Sequence, residues 1–175
     1  MRPRNLPKIL LLPSRFMGDC PMTNVAASLN PKELERIHAM QRRAKAAFDG
    51  SDPEEAGRLA LEAWAAVPEP RYGWDHSYMF LFFLFRLGRR SSQRKAIIDI
   101  VTGYLRSSYY LPVEDGPYFW LGALLFEENQ FDAAFENLQR AVQISHSRCF
   151  REEDPKYKKF FDERRKQLPA RSRHV

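Results

Sequence analysis

The chain has 175 residues, a length that fits one domain with its own hydrophobic core. Its formal net charge is +6, so nucleic acid has to be considered as a partner. The basic excess lies at the two ends, in residues 1–21 and 156–175, and the residues between them carry a small acidic excess. A basic tail on an acidic body favours a solubilising appendage over a phosphate-binding groove, so we do not expect a nucleic-acid partner.

The N-terminal region does not fit an export signal. Its apolar run, residues 9–12, is short and is followed at once by Pro13 and Arg15. Cys20 and Cys149 lie far apart without CxxC spacing, which favours a reducing compartment, and we predict a cytoplasmic protein. We expect a poorly ordered N-terminal extension over residues 1–23, a helical domain over 24–168 and a basic tail over 169–175.

Capping residues and apolar spacing predict a chain of helices. Asn30 with Pro31, and Asp52 with Pro53, are typical helix starts, and Gly116–Pro117 and Asp154–Pro155 mark two more. Apolar residues then recur at three-and-four spacing, without the alternation of an exposed strand. The predicted helices are 31–48, 53–67, 76–88, 92–106, 117–128, 131–145 and 155–168. Residues 78–87 are strongly apolar but too few to cross a bilayer, so we predict a buried helix and no membrane attachment.

Residues 116–145 form the clearest helical pair. Aromatic, large apolar and small residues follow one another there in a defined order: Tyr118, Leu121, Gly122, Leu125, Phe131, Ala134, Leu138 and Ala141. Gly122 and Ala134 allow two antiparallel helices to approach closely, while Leu125, Phe131 and Leu138 fill the space toward a neighbouring pair. This order resembles the tetratricopeptide repeat (TPR).

The TPR resemblance covers roughly residues 32–168 and is weaker in the two earlier pairs. It implies an all-α fold of about three tandem antiparallel hairpins, a TPR-like α-solenoid, closed by a C-terminal capping helix. We expect Tyr157, Phe160 and Phe161 of that last helix to pack inward.

The sequence offers few groups for catalysis. Its four histidines are scattered without metal-ligand spacing, and it has no glycine-rich phosphate loop. Asp75, His76 and Ser77 are adjacent and point in different directions at a helix start, so we interpret Asp75 or Ser77 as a helix cap. We therefore predict no enzyme, no metal site, no cofactor and no small-molecule substrate.

Aromatic residues in two predicted loops, 68–75 and 107–117, are the candidate partner-binding residues. They are Tyr72, Trp74, Tyr109 and Tyr110, with Glu114 and Asp115 beside them as acidic contacts for a basic partner. The alternative is that the loops fold these aromatic rings back onto the helices. A second candidate surface is a basic row, whose alternative is a set of solvated helix ends: Arg86, Arg89, Arg90, Arg94 and Lys95.

Residues 62–74 and 149–157 resemble a group of small bacterial TPR-like proteins found beside secreted polymorphic toxins. The resemblance implies an immunity protein, which binds and neutralises a toxin of the kind that type VI secretion delivers. The alternatives are a TPR adaptor or secretion chaperone that holds a peptide segment, and an RNA-binding regulator that uses the basic tail. The oligomeric state is left open.

Overall fold

The computed structural model describes residues 29–74 and 76–167, which form seven α-helices and no β-strand. The helices are α1 (Pro31–Asp49), α2 (Pro53–Ala65), α3 (Ser77–Gly88), α4 (Arg94–Arg106), α5 (Gly116–Glu127), α6 (Phe131–Ser145) and α7 (Pro155–Gln167). The all-α prediction is confirmed, and the predicted bounds differ from these by at most two residues. The predicted extension, residues 1–23, and the basic tail, 169–175, lie outside the described residues.

The first two helices begin where the capping residues predict. Asn30 Oδ1 accepts the backbone N–H groups of Lys32 at 3.1 Å and Glu33 at 3.0 Å, and Asp52 Oδ1 accepts that of Glu55 at 3.0 Å. These bonds satisfy N–H groups that have no partner within the helix.

The start of α3 is organised differently. Ser77 is buried and its hydroxyl donates to the carbonyl of Arg71, in the short 3-10 turn Arg71–Gly73, so Ser77 does not cap the helix. The other predicted cap, Asp75, lies outside the described residues.

Most packing occurs between helices that are close in sequence. The most extensive contacts join α1 to α2 and α5 to α6, and each of these pairs is connected by a three-residue link. Helix α3 contacts α2, α4, α5 and, over a smaller area, α1, while α4 also contacts α5. Within the described residues, none of the helices is both long and apolar enough to span a bilayer.

The predicted repeat positions of α5 and α6 are mostly buried. Leu121, Gly122, Leu125, Ala134, Leu138 and Ala141 lie in the core, and Tyr118 is half-buried. Phe131 differs from the expectation that it fills the space between two hairpins, because its side chain is 42% exposed. Phe131 is the first residue of α6, and α7 covers its side chain only partly.

Helix α7 closes the C-terminal end of the core. Tyr157 and Phe161 are buried and Phe160 is half-buried, so the predicted inward packing is confirmed. The Tyr157 ring meets Phe119 edge-on at 5.8 Å, and its hydroxyl donates to Glu127 Oε1 at 2.6 Å. Burial and this carboxylate both raise the pKa of Tyr157.

Candidate functional site: a groove between α1 and α3

Helix α3 is apolar on nearly all sides. Its inner side packs into the core through Phe80, Leu81, Leu84 and Phe85. The other side also carries large apolar residues, which a surface helix normally replaces with polar ones. Phe82 and Phe83 are only half-buried there and Met79 is 60% exposed. Contiguous exposed apolar surface of this kind marks an interaction site more often than a scattered apolar residue does.

The exposed side of α3 forms one wall of a cleft of about 330 Å³, which we call the α1–α3 groove. Its lining residues come from α1, α3 and the segment just before α3: His38, Gln41, Trp74, His76, Met79, Phe80, Phe82, Phe83 and Arg86. Trp74 and Phe80 pack edge to face, with ring centroids 6.2 Å apart, and both are buried. The groove thus has rigid aromatic walls and can accept a few apolar side chains.

Polar groups lie among these apolar walls. His76 packs its ring edge-on against Trp74 at 5.1 Å, and His38 contributes a second imidazole from α1. Arg86 Nη1 lies 3.9 Å from Glu153 Oε1, and its guanidinium lies over the Phe82 ring at 5.9 Å. Because the Arg86 side chain remains 43% exposed, it can still donate to a ligand in the groove.

The loop aromatic residues predicted to bind a partner are held mainly by contacts within the protein. The Tyr72 hydroxyl donates to the Ile100 carbonyl at 2.9 Å, and Trp74 is 6% exposed. The Tyr109 ring lies against Gly73, where an added Cβ would be 2.6 Å from the ring. The two loops are therefore folded onto each other and onto α4, and Trp74 is the member of the set that also lines the α1–α3 groove.

Glu114 and Tyr110 belong to the same internal network. Glu114 Oε2 accepts the Tyr104 hydroxyl at 2.9 Å, and the Glu114 carbonyl accepts the Tyr110 hydroxyl at 3.1 Å. Burial raises the pKa of Tyr110 to about 12, with smaller contributions from Tyr118 and Glu114. Asp115 is half-buried and precedes α5 without a side-chain capping hydrogen bond. These contacts connect the 107–117 loop to α4 and α5.

The basic row is divided by ion pairs. Arg89 Nη1 lies 3.2 Å from Glu153 Oε2, and Arg94 pairs with Glu128. Arg90 and Lys95 are exposed at the end of α3 and the start of α4. The row is therefore a set of separate side chains, several of which connect neighbouring elements.

The sequence-based choice of residues missed most of the groove, including His38, Gln41, Met79 and Phe83. The sequence signal that could have indicated the groove was the apolar composition of α3. A helix with apolar residues on nearly all sides leaves some of them exposed unless other elements cover every side. In residues 29–74 and 76–167, no group of three or more His, Cys, Asp or Glu side chains could hold a metal ion. No protein-family model, curated protein or solved structure significantly matches this chain.

Proposed function

We propose that this chain is a protein-binding module that takes up a segment of its partner in the α1–α3 groove. The observation that carries the proposal is Met79, 60% exposed beside the half-buried Phe82 and Phe83. Apolar side chains from a partner would cover these groups and gain roughly 25 cal/mol for each Å² removed from water.

We further propose that the helices are arranged as tandem TPR-like hairpins. The extensive α1–α2 and α5–α6 contacts, and the contacts of α3 with both α1 and α5, support this arrangement. In such a stack, α1, α3 and α5 line a common face, and the groove lies on it. A repeat stack with an apolar groove on that face fits recognition of another protein.

The polar groups narrow the chemistry of the bound segment. Arg86 donates hydrogen bonds and carries a positive charge, and His38 and His76 offer imidazole groups at the same cleft. A matching segment has one or two large apolar side chains for the aromatic walls, with a carboxylate or carbonyl oxygen next to them. The acidic group then meets Arg86 while the apolar groups cover Met79.

The biological role that we propose is immunity, in which this segment belongs to a cognate secreted toxin. The motive for this step is the resemblance of residues 62–74 and 149–157 to TPR-like proteins encoded beside polymorphic toxins. An adaptor or secretion chaperone would use the same groove for a short peptide, which suits a cleft of about 330 Å³. A toxin reading frame immediately upstream of the gene would favour immunity over these alternatives.

The test uses the substitution Met79→Asp, which places a charge in the groove at a position exposed enough to leave the fold intact. Tagged wild-type protein captures partners from the native host, and mass spectrometry identifies them. We expect Met79→Asp to lose the specific partner at an unchanged melting temperature. The matched control is Val113→Asp, since Val113 is 79% exposed and does not line the groove. Equal capture by wild type and Met79→Asp would refute groove binding.

A second measurement tests the role. If a toxin gene adjoins this one, co-expression of the toxin with the wild-type chain should restore growth, and co-expression with Met79→Asp should not. Growth inhibition that persists with the wild-type chain would exclude immunity against that toxin and leave the adaptor role.

A further inference from the structure

A second cleft lies at the opposite end of the sequence, where the end of α5, the start of α6 and α7 meet. Phe126, Phe131 and Phe160 form its apolar part, with ring centroids 4.9 Å apart for Phe126 and Phe160 and 5.7 Å for the other two pairs. The cleft has a volume of about 450 Å³ and shares no lining residue with the α1–α3 groove. We call it the α7 trough. Phe131 is its exposed apolar group, at 42%.

The lining of the α7 trough has more basic than acidic residues, and neighbouring carboxylates pair with two of the basic groups. Its charged lining residues are Lys156, Lys159, Arg164 and Glu163. Lys156 Nζ lies 2.6 Å from Glu127 Oε1, and Arg164 pairs with Asp132. Lys159 is exposed and forms no ion pair with another residue in the described ranges, so its ammonium is available to a ligand. Helix α7 as a whole carries six basic and two acidic residues.

From this combination we propose that the α7 trough is a second docking site, which binds an acidic segment of a partner protein. A large apolar side chain of that segment covers Phe131, and a carboxylate of the segment pairs with Lys159. The proposal is independent of the α1–α3 groove, since the two sites differ in their residues and in their balance of charge.

The charge of the trough argues against two other occupants. Residues 1–28 and 168–175 of this chain both carry an excess of basic residues, so neither complements a basic trough. A nucleic acid presents regularly spaced phosphates, which call for a row of available basic groups. In the α7 trough, Lys156 and Arg164 are already paired with carboxylates, and Lys159 is the basic lining residue without an ion pair in the described ranges. An acidic peptide needs to place only one carboxylate there, at the Lys159 ammonium.

The test measures fluorescence anisotropy with the purified chain and a labelled peptide of about ten residues, in which Asp and Glu flank a central Phe-Leu pair. A matched peptide has Asn and Gln in place of Asp and Glu. We expect the acidic peptide to bind at least about tenfold more tightly than the neutral one. Its affinity should fall as the salt concentration is raised from about 50 to 300 mM.

Two substitutions locate the binding. Lys159→Glu and Phe131→Ser should each lower the affinity for the acidic peptide by about tenfold. The matched controls are Lys95→Glu, an exposed lysine on α4, and Val113→Ser, an exposed valine in the 107–117 loop, and both should stay within about twofold of wild type. Far-ultraviolet circular dichroism of each variant confirms that it is folded.

Several results would overturn the proposal. One is equal affinity for the acidic and neutral peptides, and another is tight binding of a labelled oligouridine that Lys159→Glu abolishes. Removal of residues 168–175 should leave the affinity for the peptide unchanged. If removal raises this affinity about tenfold, the chain's own tail competes with the peptide and is the occupant of the trough. If Met79→Asp abolishes binding of the peptide, the peptide binds in the α1–α3 groove and not in the α7 trough. Because partner capture is measured separately, failure here leaves the proposed function standing.

Discussion

Gly122 on α5 faces Leu138 on α6 so closely that there is no room for a side chain on Gly122. A Cβ added to Gly122 would lie 2.8 Å from Leu138 Cγ and 3.1 Å from the carbonyl oxygen of Ala134. Leu138 and Ala134 are both fully buried, so neither can move away into solvent. The contact gives a physical reason for the small residue that the repeat-like order of α5 and α6 places here.

We expect Gly122→Ala to lower the free energy of unfolding by about 1–3 kcal/mol, because the added methyl overpacks the α5–α6 contact. Alanine is the better helix former by about 1 kcal/mol, so a net loss means that the clash outweighs this gain. Urea unfolding, followed by circular dichroism, measures the change.

The control for this prediction is Leu138→Ala, which removes the side chain that Gly122 meets. Alone, it should cost about 2–5 kcal/mol, but it should make Gly122→Ala less harmful in the double variant. If Gly122→Ala stabilises the wild-type background, the helices are not in the close contact described above.

Glu54 at the start of α2 binds the link between α3 and α4. Its carboxylate accepts the Ser92 hydroxyl at 2.6 Å and the Ser92 backbone N–H at 2.9 and 3.0 Å. The hydroxyl and then the backbone hydrogen bonds hold the pKa of Glu54 below its usual value. Since the folded state favours the ionised form, this stabilisation is present at neutral pH and is lost as pH falls through the lowered pKa.

We therefore expect Glu54→Gln to lower the melting temperature at pH 7, and the difference from wild type to shrink as the pH falls below about 4. Differential scanning calorimetry across this pH range measures both. Glu136→Gln is the control, because Glu136 is an exposed α6 residue for which no ion pair is present among the described residues. If the difference in melting temperature between wild type and Glu54→Gln widens on acidification, the carboxylate does not stabilise the fold in this way.

Local chemistry made the helices predictable. Asn30 and Asp52 accept backbone N–H groups at the starts of α1 and α2, and proline follows each of them, so these boundaries depend on a few neighbouring residues. The core positions of α5 and α6 follow from helical spacing in the same way. Phe131 is the exception, because its exposure depends on how far α7 extends over the start of α6.

The α1–α3 groove could not be predicted from short-range sequence patterns. His38 and Met79 lie about forty residues apart, and whether they line one cleft depends on the path of the chain through α2. For the loop aromatic residues, the sequence left two outcomes open, a partner contact or packing onto the helices. Trp74 and Tyr110 form internal contacts, and nothing in residues 68–74 or 107–117 taken separately could show that the two loops meet.

The placement of Trp74 changes what a substitution there should do. If Trp74 and Tyr110 were the surface contacts that the sequence suggests, replacing both with alanine would weaken partner capture at an unchanged melting temperature. With Trp74 buried against Phe80 and His76, we instead expect Trp74→Ala to cost about 3–5 kcal/mol of folding stability. Tyr110→Phe should cost only about 0.5–1.5 kcal/mol, because it removes the hydroxyl that donates to Glu114 and keeps the ring.

Chemical denaturation of these two variants measures both losses. A Trp74→Ala variant as stable as wild type would mean that the indole is not part of the core, and would restore Trp74 as a candidate surface anchor. Loss of partner capture by Tyr110→Phe at unchanged stability would likewise point to a partner contact at the hydroxyl.

Cys149 should be a slow thiol toward alkylating reagents. It lies half-buried in the turn His146–Phe150, where its Sγ donates to the His146 carbonyl at 3.4 Å. Burial raises the pKa of Cys149 to about 11, and Asp115 adds to the effect. Only the thiolate reacts, and at pH 8 a thiol with that pKa is ionised to roughly one part in a thousand, against roughly a quarter for an ordinary cysteine.

The experiment uses Cys20→Ser, so that Cys149 is the remaining cysteine, and follows iodoacetamide labelling by mass spectrometry. We expect labelling at pH 8 to be about a hundredfold slower than that of a free cysteine peptide. The rate should keep rising up to about pH 10, and unfolding in urea should bring it to the peptide value at pH 8. A rate that levels off near pH 8.5 in the folded protein would show that the fold does not disfavour the Cys149 thiolate, and that the turn before α7 is more open than its contacts with the core imply.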